Sequence, residues 1–273
     1  MKKWIYNALI VFFALMFLVS AGMLIAYFIE GQQQKDRYED LSSLKGEGSP
    51  RPSVSQSDDA TQQERPVELV EFTDPETGKT VSMLPEFKDL YLQNNDIIGW
   101  LKIPGTVIDY PVMQSGKDDP DYYLYRNFDK ENNKRGCLYV WPENDVNAPS
   151  DNITIYGHHM RDGSMFAALK KYRKSAFRKE NPYIYFDTLT ELHTYEVMAV
   201  FLTTASVGEG FEYHNFINAQ SEKEFNDFVA QCKKLSLYKT GVDAKYGDKL
   251  ICLSTCEYSQ TNGRLVVVAK RIA

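Results

Sequence analysis

Cys256, His158 and Arg264 are the side chains whose types and surroundings suit nucleophilic chemistry. Cys256 ends the run Leu250-Ile251-Cys252-Leu253-Ser254-Thr255-Cys256 and is followed at once by Glu257-Tyr258-Ser259-Gln260, so its sulfur lies where apolar chain gives way to polar chain. A thiolate at such a rim attacks carbonyl carbon. If the run is a strand, Cys252, Ser254 and Cys256 share one face. Cys252 and Cys256 would then stand about 13 Å apart, too far for a disulfide. Cys252 lies inside the apolar run and reads as a small core residue, which is also the commoner fate of any free cysteine. Arg264 opens the next apolar run after the seven-residue stretch Glu257 to Gly263. A hairpin there would set the guanidinium near the thiol, where it would favour thiolate or hold an oxyanion. The plainer reading is a solvated arginine at a strand end. His158 and His159 follow Asn152-Ile153-Thr154-Ile155-Tyr156-Gly157 at the exit of another apolar run. One of such a pair is ordinarily surface, and the other is placed for general acid–base catalysis near neutral pH. His193 and His214 have no comparable setting.

These residues need a scaffold, and the pattern from Pro85 onward predicts one. Eight runs rich in Val, Ile and Tyr read as strands: Ile97 to Ile103, Val107 to Met113, Gly136 to Trp141, Asn152 to Tyr156, Tyr183 to Phe186, Tyr195 to Thr203, Lys249 to Ser254 and Leu265 to Ile272. Helical spacing marks Pro85 to Asn95, Ser164 to Tyr172 and Ser221 to Leu235, the last opened by Ser221 and Glu224 as a capping box. Eight strands in this span predict a mainly β body, one closed or nearly closed barrel decorated by helices.

The chain carries 31 Lys and Arg against 37 Asp and Glu, a net charge of −6, which argues against a protein built to neutralise nucleic-acid phosphates. Four cysteines, with no pair at C-x-x-C spacing, give neither a disulfide framework nor a zinc knuckle. The histidines show no ligand spacing with them, so no metal site is expected, and without a Gly-rich phosphate loop no cofactor is expected. At the N-terminus, Trp4 to Ile29 is free of charge and long enough to span about 30 Å of hydrocarbon. Lys2 and Lys3 before it place the N-terminus in the cytoplasm and the rest outside. A cleaved signal peptide ending near Ala21 is the competing reading; against it, the apolar run continues eight residues further. The expected organisation is a transmembrane signal-anchor over 1–29, a flexible extracellular stalk over 30–84 with a turn at 73–78, and a catalytic domain over 85–273.

Tyr156-Gly157-His158-His159-Met160, Leu253-Ser254-Thr255-Cys256-Glu257 and Arg264-Leu265-Val266-Val267-Val268-Ala269-Lys270 together resemble the sortases, most closely those of class B from Gram-positive bacteria. Ile98-Gly99-Trp100-Leu101-Lys102-Ile103-Pro104, Tyr110-Pro111-Val112 and Gly163-Ser164-Met165-Phe166 extend the likeness over nearly all of 85–273. The resemblance implies an eight-stranded barrel with an N-terminal helix and an extra helix before the cysteine strand. It implies Cys256 as nucleophile, His158 as acid–base and Arg264 as oxyanion or substrate-positioning group, with His159 a neighbour whose loss is mild. It also implies a transpeptidase that cleaves a C-terminal sorting signal of secreted proteins after threonine and forms a thioester. Transfer would go to an amine of peptidoglycan precursor or to a pilin lysine. Ser254, Leu124, Thr204 and Glu257 are expected at the substrate, with Ser254 contacting its threonine. A hydrolytic cysteine peptidase on the same anchor, and a catalytically idle surface-binding module, are the alternatives.

Overall fold

The structure, a computed structural model, describes residues 3–46, 68–75, 77–206 and 208–273. It divides into two compact units, Met1–Leu44 and Lys45–Ala273. The first is a single helix, α1 (Lys3–Lys45), long and apolar enough over its N-terminal part to cross a membrane. It does not stop at Ile29. The polar stretch that follows is rich in strong helix formers and supports itself with i, i+4 contacts, Gln32 to Asp36 (2.6 Å) and Lys35 to Glu39 (3.5 Å). Gly46, with φ +69°, lies just past its end as a left-handed stop. The expected stalk is therefore helical in its first part.

At the far end of the expected stalk, β1 (Val70–Thr73) and β2 (Thr80–Met83) form an antiparallel hairpin. The turn expected at 73–78 is present, but it joins two strands: Asp74 accepts from the Thr77 hydroxyl (2.8 Å), and Gly78 takes φ +66°. Two strands of four residues each, only one of them alternating exposed with half-buried residues, leave too weak a pattern for sequence reading. The middle of the expected stalk, 47–67, lies outside the described residues.

After a 3₁₀ turn (Pro85–Phe87) and the short α2 (Lys88–Gln93), the eight expected strands appear: β3 (Ile97–Lys102), β4 (Asp109–Gln114), β5 (Leu138–Val140), β6 (Asn152–Tyr156), β7 (Tyr183–Thr188), β8 (Thr194–Thr204), β9 (Leu250–Cys256) and β10 (Gly263–Arg271). They close into a barrel in the order β10-β8-β7-β3-β4-β5-β6-β9. Two pairings, β4 with β5 and β6 with β9, are parallel. The window at 164–172 folds as a 3₁₀ helix, Phe166–Arg173, ahead of α3 (Ser175–Glu180).

The near-continuous apolar runs of β9 and β10 follow from burial on both faces. Ile251, Leu253, Leu265 and Val267 fill the barrel interior. The alternate residues Leu250, Cys252, Val266 and Val268 pack outward beneath α4 (Glu222–Leu235), which covers them with Phe225, Phe228, Val229 and Cys232 at helical spacing. Ser221 caps α4 by accepting from the Glu224 N–H, while the Glu224 carboxylate reaches back to the N–H of Gln220 (2.8 Å), one residue before the cap. Phe216 stacks on Phe228 with ring centroids 4.0 Å apart, tying the preceding loop into the same cluster.

Candidate active site

The open end of β9 gathers the candidate residues. Cys256 and Arg264 are directly opposed on β9 and β10. The Glu257 N–H donates to the Gly263 carbonyl at 2.9 Å, which makes Cys256 and Arg264 a non-hydrogen-bonded pair, the kind whose side chains stand closest. On the other flank β6 runs parallel to β9 in constant register up to Tyr156 opposite Ser254. His158 lies two residues beyond Tyr156, and Cys256 two beyond Ser254. The chain thus brings all three candidates to one end of adjacent strands. Cys137, Cys232 and Cys252 are buried, and Cys256 is half-exposed.

Gly157 is needed before the histidines because a Cβ there would stand 2.5 Å from Leu138 and 2.8 Å from Phe166. His158 donates from Nε2 to the Leu124 carbonyl (2.8 Å), and its ring lies 5.8 Å from that of Tyr125. Burial lowers its pKa below 6.5, opposed by the Leu124 bond, so the imidazole favours its neutral form. The loop beyond is anchored by Arg135, a buried guanidinium paired with Asp162 and donating to the Ser164 hydroxyl (3.3 Å). Arg264 donates from Nη1 to the carbonyls of Gly263 (3.0 Å) and Asn262 (3.3 Å). Both bonds use the same nitrogen, and the other arm of the fork carries Nε and Nη2.

The four expected substrate contacts are not equivalent. Leu124 takes part through its carbonyl, at His158. Ser254 is 2% exposed and shares a 2.5 Å hydrogen bond with Tyr213, so its hydroxyl is engaged within the site wall. Burial pushes the Tyr213 pKa up to about 12, against the Ser254 bond, so the pair stays uncharged. Thr204 bonds to Ser206 and to the Thr261 carbonyl (both 3.1 Å). The register puts Thr203 in the row with Arg264 and Cys256, where its hydroxyl accepts from the Phe211 N–H (2.9 Å) and its carbonyl from Gln260 (2.6 Å). Neighbouring residues on a strand face opposite sides. Glu257 pairs with Arg173 (3.2 Å) and accepts from Ser259. Against its partial burial, those bonds hold its carboxyl below the usual range. Sequence reading missed Tyr213, Tyr258 and Arg173, none of which belongs to a motif.

The sortase domain model matches residues 101–272. Sortase B of Staphylococcus aureus (strain NCTC 8325 / PS 47) is 33% identical over 192 residues, which span 69% of this chain and 75% of that protein. The structure of a Staphylococcus aureus sortase B–substrate complex superposes with a TM-score of 0.63 at 31% identity, over 70% of this chain and 86% of that one. Sortase B of Bacillus anthracis in complex with AAEK1 gives 0.68 at 29% identity, over 90% and 99%. The chain belongs to the sortase family, in its class B branch, and has that family's mainly β barrel and cysteine transpeptidase activity.

Proposed function

We propose that the enzyme cleaves a C-terminal sorting signal of secreted proteins after threonine and transfers the acyl group to an amine of the cell wall or a pilin lysine. The observation that carries this reading is the shared register of Cys256 with Arg264 across one pairing and with the exit of β6 across the other. The Cys256 thiol passes its proton to the neutral His158 as its sulfur attacks the threonine carbonyl, and the Arg264 arm carrying Nε and Nη2 faces the developing oxyanion. As the intermediate collapses, the carbon–nitrogen bond breaks and His158 gives its proton to the departing amine, leaving a thioester. The acceptor amine adds to that thioester, His158 takes the proton, and the thiolate is released with a new amide formed. That a staphylococcal sortase B forms a complex with its substrate supports a substrate of the sorting-signal class for this enzyme. Trp4 to Ile29 of α1 anchors the chain in the cell membrane by a single pass, with the catalytic unit outside.

Mass spectrometry of the products tests this, with the full chain in detergent, sorting-signal peptides and an oligoglycine or other amine acceptor. The expected product joins the threonine-ended fragment to the amine. Free acid alone, with the amine in excess, would make the enzyme a hydrolytic peptidase.

A further inference from the structure

The ladder between β6 and β9 ends at Tyr156 and Ser254, yet the two chains stay together beyond it. The Gly157 N–H donates to the Ser254 carbonyl (3.2 Å) and the Thr255 hydroxyl to the Gly157 carbonyl (2.7 Å). His159 then donates from Nδ1 to the carbonyl of Cys256 (2.9 Å), and the Tyr258 hydroxyl donates to the carbonyl of His159 (3.1 Å). Side chains thus take over where main-chain pairing stops. A carbonyl oxygen only accepts, so Nδ1 carries the proton, and it does so in the neutral and the charged ring alike. The ring is itself held, with Tyr258 5.3 Å away and a main-chain bridge from His159 to Met165 behind it.

The peptide unit that follows the candidate nucleophile is therefore gripped at both polar atoms: its carbonyl by His159, and its N–H, that of Glu257, by the Gly263 carbonyl. Fixing that plane fixes the main-chain torsion of Cys256 and with it the direction in which the sulfur leaves the strand. We infer that His159 is a positioning residue, which holds the main chain of Cys256 in register with the neighbouring His158 and Arg264. The inference rests on Cys256 being the nucleophile. It gives the second histidine a role that the family resemblance withholds.

The test uses the full chain in detergent, with steady-state transpeptidation of a sorting-signal peptide and melting temperatures for each variant. His159→Ala is expected to lower kcat about 10- to 100-fold with KM within about twofold, the scale of a small misplacement of a reacting atom. His159→Asn puts an amide N–H where Nδ1 stands and should return kcat to within about threefold of wild type. His159→Gln, whose amide reaches further, should stay near the alanine level. A kcat for His159→Ala within twofold of wild type overturns the inference, as does His159→Asn no better than His159→Ala. If the alanine variant fails to fold, the ratio of the asparagine and glutamine variants decides. Cys256→Ala, run alongside, separates the two readings: turnover without the thiol defeats the nucleophile assignment, whereas a dead Cys256→Ala beside an unimpaired His159→Ala defeats only the positioning role.

Discussion

Cys252 and Cys256 stand on one face of one strand, and their surroundings make them chemically unlike. Cys252 lies beneath α4 with Phe225, Phe228 and Val229 around it, fully buried, and burial pushes its thiol well above the ordinary range. Cys256 stands past the end of that cover, half-exposed and opposite an arginine. Exposure of the thiol along this strand follows the extent of that cover, since the strand supplies the same residue type to both positions.

The sharpest way to break this comparison is to remove each sulfur in turn. Cys256→Ala should abolish turnover and leave stability nearly unchanged. Cys252→Ala should keep turnover while costing about 1 kcal/mol of stability in urea unfolding. Residual cleavage by Cys256→Ala would show that the exposed end does not carry the chemistry.

Arg264 tests what the open end adds beyond access. If its planar fork holds the oxyanion, Arg264→Lys should lose about 100- to 1000-fold in rate although the charge is kept. If charge alone matters, the lysine variant keeps most activity. Initial rates across pH for the lysine and alanine variants distinguish the two.

The smallest expected effect concerns how dry the open end is. Because burial lowers the pKa of His158, the unfolded chain binds its proton at a higher pH than the folded one. Stability is then unaffected well above pH 6.5 and falls as the pH drops below it, until the folded-state pKa is reached. His193 and His214 are shifted the same way, so the loss is shared. Urea midpoints at pH 7.5 and 5.5 should differ more for wild type than for His158→Gln. An equal difference would mean that His158 is as solvated as in the unfolded chain.

The eight strands were legible because each is a short apolar run bounded by turns. The Cys256–Arg264 pairing was legible because only a short hairpin separates the two positions. The bond between Ser254 and Tyr213 was not. Tyr213 arrives on the long loop between β8 and α4, a contact 41 residues distant that no local period announces. Nor was it legible which of Thr203 and Thr204 shares the row of Arg264, because period-2 alternation puts neighbouring residues on opposite faces. The helix beyond Ile29 was hidden for a different reason: a polar sequence reads as unstructured by composition even when it is rich in strong helix formers.

The parallel pairing of β6 with β9 joins residues 98 apart in sequence, as the bond from Thr255 to Gly157 records. Such a contact closes a long loop, and its entropy must be met before the pairing returns anything, which makes parallel ladders slow to form. His158 and Cys256 come to the same end of the barrel only when this ladder forms. During synthesis the thiol is the last of the three groups but one to emerge, since Arg264 follows it, and it has no acid partner beside it until the barrel closes. If Cys256 and His158 carry the acyl transfer, the order of folding keeps that chemistry silent in an unfinished chain, and competence arrives only when the barrel closes.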